Sequence, residues 1–216
     1  MGFPFLFIVI LPIIFALIVI FAIQAEKKRK AAIEAAAVEL GLAFSPTLAG
    51  PDQQLFETFE LAHIGHGREA SSATIADSGE LRMVLFDYKY TVGSGKNKST
   101  RTYSVVMAIS QTLAMPKFSM TPESFFHRLA EFFGFKDIDF DDDPAFSDQF
   151  LLKGENEAEI RNFFTPHRRT GLLPLGPISL EAHDHVFIYY RSGKQSNAAH
   201  LRAMMEEGFK IQTLLS

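Results

Sequence analysis

The chain has no cysteine and no tryptophan among its 216 residues. Without thiols there is no disulfide, no thiolate nucleophile and no cysteine-held zinc or iron–sulfur centre, and the composition suits a reducing compartment. An excess of one charge is missing too. There are 21 Lys and Arg against 25 Asp and Glu, so no basic field invites a nucleic acid. No Gly-x-Ser-x-Gly elbow and no His-Glu-x-x-His motif occurs. No internal repeat or low-complexity linker divides the chain. Finally, no Lys or Arg precedes the first apolar run, as the basic head of a secretory leader would.

That run, residues 3–23, is 21 residues without a charge: seventeen are Leu, Ile, Val or Phe, two are Ala and two are Pro. As a helix it is about 30 Å long, the thickness of a bilayer's hydrocarbon core. It is longer than a leader's apolar segment, and Ala22 and Ala25 do not make an Ala-x-Ala cleavage site. An uncleaved single span is therefore expected. Lys27, Lys28, Arg29 and Lys30 follow at once. This basic flank places the C-terminal side in the cytoplasm and suits an anionic inner leaflet.

The organisation expected is a membrane anchor over 1–24, a juxtamembrane helix over 25–41 ended by Gly41, and a cytosolic α+β domain over 42–216. A candidate sub-boundary lies near 112–145. Residues 51–60 read as a short helix. Three strands then alternate in polarity at 68–76, 80–92 and 100–110, joined by Asp77-Ser78-Gly79 and by the Gly- and Asn-rich loop 93–99. Thr121-Pro122-Glu123 reads as a helix start, with Phe125, Phe126, Leu129, Phe132 and Phe133 forming its apolar stripe. Residues 146–153 read as a strand and 155–164 as a helix. Residues 178–182 and 186–191 form a closing hairpin, and 197–215 an amphipathic final helix.

Candidate chemistry is sparse. Gly93-Ser94-Gly95-Lys96 hints at a phosphate loop, but Tyr90 holds the earlier Gly position, Asn97 replaces the Ser or Thr, and a strand follows. It reads instead as a hairpin tip whose Lys96, Lys98 and Arg101 meet lipid headgroups or an acidic partner. Asp137, Asp139 and Asp141 copy the first ligands of a calcium loop, but Asp142 and Asp148 stand where Gly and Glu belong. His183, Asp184 and His185 are the candidate metal ligands, and His63 and His66 form a second pair. No motif implies a cofactor. The expected partners are the lipid bilayer and another membrane protein.

The order of these features carries a resemblance. Its marks are the anchor and basic flank, Glu39-Leu40-Gly41-Leu42, and the run Phe86-Asp87-Tyr88-Lys89-Tyr90-Thr91-Val92-Gly93-Ser94-Gly95-Lys96-Asn97. Asp137-Ile138-Asp139-Phe140, the strand near Phe150, the late hairpin and the C-terminal helix complete it. Together they resemble a set of uncharacterised bacterial single-pass membrane-anchored proteins. The resemblance implies an inner-membrane protein with a cytosolic α+β domain. It implies no activity and transfers no functional residue. The reading is a non-enzymatic interaction or accessory subunit of a membrane complex. The alternative is a tethered metal-dependent hydrolase, or a metal or lipid sensor.

Overall fold

The computed structural model describes residues 3–123, 137–191 and 197–216. Helix α1 (Phe3–Glu39) is 37 residues long and joins the apolar stretch to the juxtamembrane segment without a break. At about 1.5 Å per residue it is roughly 55 Å long. Gly41 ends it with φ +69°, a left-handed position that glycine takes without a Cβ penalty; the Leu42 amide then donates back to the Ala37 carbonyl at 2.9 Å. The two ends of α1 differ in surroundings. Residues such as Phe15 and Phe21 are exposed, whereas Ile33 and Ala37 are buried in the domain core.

The strands are β1 (Ala43–Thr47), β2 (His66–Asp77), β3 (Leu81–Val92), β4 (Ser99–Ser110), β5 (Met115–Pro122), β6 (Phe150–Gly154), β7 (Ser179–Asp184) and β8 (Val186–Tyr190). They form one antiparallel sheet in the order β1-β2-β3-β4-β8-β7-β5-β6. The β2–β3–β4 meander matches the pattern in the sequence. The closing hairpin β7–β8 then fits between β4 and β5, with Val105 opposite Tyr190 and Ile109 opposite Val186. Strands from both sides of residues 112–145 thus share one sheet.

Both faces of the sheet are covered, which explains why β3 is apolar at even and odd positions alike. On one face Met83 and Leu85 join Ile33 and Ala37 of α1. Helices α4 (Glu157–Phe163), α5 (Pro166–Leu172) and α6 (Ala198–Leu215) complete that layer. On the other face Val84, Phe86, Tyr88 and Tyr90 lie under residues 48–64, which include α2 (Gly50–Phe56) and supply Phe56, Phe59 and Ile64. The result is an α+β fold of three layers.

Several elements differ from the sequence reading. Residues 146–153 split into a short helix α3 (Pro144–Gln149), capped by the Asp143 carboxylate, and then β6. A helix does begin at Glu123, but Thr121 and Pro122 pair with Leu151 and Phe150 as the end of β5, so Thr121 is not its cap. The phenylalanine stripe at 125–133 lies outside the described residues.

Helix α6 depends on Gly208 for its close approach to the sheet. A Cβ there would stand 3.0 Å from Val106 Cγ1, 3.3 Å from Tyr189 Cε1 and 3.4 Å from Met83 Sδ. Gly208→Val is therefore expected to destabilise the domain by about 2 kcal/mol through overpacking. A lowered urea midpoint would show it. An unchanged midpoint would mean that α6 has room to shift.

Candidate functional site

The joint between α1 and the sheet is built from charge. Asp87 belongs to the same β3 face as Met83 and Leu85, an otherwise apolar row, and is only 4% exposed. A buried carboxylate needs a cation and hydrogen-bond donors. The sequence supplies both: Arg29 Nη2 donates to Asp87 Oδ2 at 2.5 Å, and the hydroxyl of Ser104, its cross-strand neighbour, donates to Oδ1 at 2.7 Å. Glu26, one turn back on α1, receives Arg29 Nε and Nη2 at 2.9 and 2.8 Å. Lys30 reaches Ser71 of β2 at 3.4 Å.

This divides the basic flank. Lys27 and Lys28 are exposed. Arg29 is not part of that surface: its side chain is 17% exposed and turns toward the domain. The correction follows from helix geometry, since Arg29 shares a face with Ile33 and Ala37, four and eight residues on.

Lys96, Lys98 and Arg101 are exposed around a single 3-10 turn at Gly95–Asn97. Of the candidate ligands His183 and Asp184 are brought together, with Nδ1 3.1 Å from Oδ2, but His185 is not. Asp184 takes φ +50° at the β7–β8 turn, and its neighbours part company there. His183 shares a 2.7 Å hydrogen bond with Thr58 and packs 5.0 Å from Phe59, whereas His185 Nδ1 lies 2.5 Å from the Leu113 carbonyl. His63 bonds to the Glu57 carbonyl at 2.7 Å. In the acidic loop Asp142 and Asp143 hold Arg169 at 2.6 and 3.0 Å, and Asp137 accepts the amides of Ile138 and Leu152. Among the described residues, no three His, Asp or Glu side chains gather as a metal site would require.

A titratable centre lies elsewhere, across β6, β5 and β7. Lys153, Ser119 and Glu181 are side by side in register, buried on the face that α2 covers. Glu181 is 3% exposed, and its carboxylate receives the Glu60 amide at 2.7 Å, the Leu61 amide at 3.3 Å and the Tyr190 hydroxyl at 3.1 Å. It thereby caps the 3-10 turn Glu60–His63. Burial, and then the nearby Glu60 carboxylate, push its pKa up to about 7 against those donors. Burial also raises Glu60, opposed by Lys117 and Lys153. The cavity they share with His183 is about 20 Å³, room for about one water. A wider cleft of about 500 Å³ runs between α2 and β2, lined by Gln53, Phe56, His63, Arg68 and Tyr88. It falls in the range of small-ligand sites.

Glu181 was not legible as a buried group, because a Glu between Leu180 and Ala182 reads as the solvent side of a half-covered strand. Asp87 did leave a trace, as a carboxylate in an apolar row with a lone Arg on the helix before it.

The fold and its joint define a class: an α+β domain, sheathed on both faces, whose core incorporates the end of a helix long and apolar enough to cross a membrane. No family model matches the chain, and no curated protein matches it. Among solved structures the fold is similar to that of the mycobacterial trehalose monomycolate transport factor A, TtfA. The TM-score is 0.55 at 9% identity, over 86% of this chain and 93% of that one.

Proposed function

We propose that the chain is a non-enzymatic accessory subunit of a membrane complex, anchored by one span in a bacterial inner membrane with its domain in the cytoplasm. The observation that carries this is the continuity of α1. One helix begins as an exposed apolar rod and ends with Ile33 and Ala37 buried in the core and Arg29 fixed to Asp87. A flexible leash would suit an enzyme that searches for substrate. A rigid stem instead holds the domain at a set height and rotation, as a scaffold within an assembly needs. The likeness to TtfA supports a transport-associated role of this kind, and no more specific cargo is carried over.

The experiment is co-purification. A C-terminally tagged chain, gently solubilised from native membranes, is expected to bring down an integral membrane protein in stoichiometric amount. A lone monomer under every growth condition would sink this reading. A reporter on the C-terminus, active only in the cytoplasm, tests the orientation separately.

A further inference from the structure

The direction in which α1 crosses the sheet determines which end of the meander faces the bilayer. Two fixed points set that direction. Just after α1, Ala43 pairs with Ile75, which itself pairs with Val84 of β3. Further back along α1, Arg29 bonds Asp87. Moving along α1 toward the membrane therefore means moving up β3 toward Val92 and the 93–99 tip. Glu26, closer still to the span, feels the charge of Lys89, which continues the trend.

Reach can be compared along the same two elements. From Asp87 to Val92 is five residues of strand, roughly 17 Å. From Arg29 to Ile23, where the apolar stretch ends, is six residues of helix, roughly 9 Å. The strand has length to spare even for an inclined crossing. With α1 as a span, that length is enough to bring the tip level with Ile23.

Charge follows the same axis. Residues 93–101 carry Lys96, Lys98 and Arg101 and no acid. At the opposite turn of the meander Asp77 is held by Arg82 at 2.6 Å, and Glu80 is exposed. The end directed at the bilayer is the one that carries unopposed positive charge on its own loop. We propose that the β3–β4 tip is a second membrane contact, in which Lys96, Lys98 and Arg101 bind anionic phospholipid headgroups beside Lys27 and Lys28. The proposal rests on α1 being a span. Its consequence is a domain held at two points, the stem and the tip, which removes rotation about the stem.

The absence of cysteine makes the test clean. Asn97→Cys or, as a control, Ser78→Cys is labelled with a fluorophore in the full chain. The labelled protein is reconstituted into nanodiscs of phosphatidylglycerol or of phosphatidylcholine carrying a headgroup-attached quencher. In anionic discs the probe at position 97 is expected to be quenched at least about threefold more than the probe at 78, given local attraction of basic segments to such lipids. Adding Lys96→Glu, Lys98→Glu and Arg101→Glu is expected to abolish the difference. Equal quenching at 97 and 78 overturns the proposal, as does quenching at 97 that is the same in both lipids. An Ile23→Cys probe separates the premises. If it is shielded by lipid while position 97 is not, the span stands and the tip contact falls; if it is not shielded, both fall.

Discussion

Arg29→Ala is expected to lower the unfolding free energy of the intact chain by about 3 kcal/mol, the scale for breaking a buried ion pair by removing one partner. The variant leaves the Asp87 carboxylate at 4% exposure with its guanidinium gone and the Ser104 hydroxyl still in place. Glu26 cannot compensate, because it carries the same sign. The reverse change is milder. In Asp87→Ala the Arg29 side chain, 17% exposed, keeps Glu26 and swings outward to water. The order of stability expected is wild type, then Asp87→Ala, then Arg29→Ala, with the double variant no worse than Arg29→Ala alone. Denaturant unfolding in mild detergent, followed by tyrosine fluorescence, measures it. The chain has five tyrosines and no tryptophan to mask them. Local failure has its own signature. If the joint opens first, protease sites between residues 24 and 42 become accessible below the global midpoint. An Arg29→Ala chain within about 0.5 kcal/mol of wild type would show that apolar packing at Ile33 and Ala37 alone fixes the stem.

How much of this was legible depended on the kind of order involved. An uncharged apolar run marked the start of α1, alternation marked the long meander, and helical spacing marked α6, because each is a local pattern repeated over many residues. Such a pattern did not mark β1, where Pro46 interrupts a five-residue strand. The structure tolerates that proline because β1 is at the sheet edge and Pro46 takes no partner in the register. It did not mark β5 either, where Pro116 falls at a break in register and Pro122 ends the strand. Strand order was beyond reach for a different reason. Nothing local in Val186–Tyr190 says that it pairs with β4, since such pairing is a property of the assembled sheet. The same holds for the polar row of Lys153, Ser119 and Glu181, which are far apart in sequence and meet only through β5. The histidines misled in the opposite way. Closeness in sequence at His183 and His185 was undone by a left-handed residue between them, which sends one to Thr58 and the other to Leu113.

Glu181 gives the fold a pH dependence whose sign is fixed by its surroundings. In the folded chain its pKa is pushed up to about 7, and in the unfolded chain it returns to the ordinary carboxylate value of 4.5. The folded state therefore holds this proton more tightly than the unfolded state. Stability from this group is fully present below the unfolded value, falls as pH rises through the window from about 4.5 to about 7, and levels off above it. The size is on the order of 3 kcal/mol, from a shift of about two to three units at 1.36 kcal/mol each. Carboxylates with lowered values act in the opposite direction, so the contribution is isolated by comparison with a variant. Glu181→Gln keeps an oxygen for the Glu60 and Leu61 amides and offers a donor toward the Glu60 carboxylate, one oxygen of which is buried without a partner. The variant should match wild type near pH 4.5 and exceed its stability by pH 8, so the difference between the two grows with pH through that window. Glu181→Ala, which leaves both amides and the Tyr190 hydroxyl without their acceptor, should be less stable than the Gln variant at every pH. Unfolding midpoints of the three chains at pH 4.5, 6 and 8 measure this. A constant offset between wild type and Glu181→Gln would mean that the carboxylate stays ionised in the folded chain, with Lys153 and the amides outweighing burial.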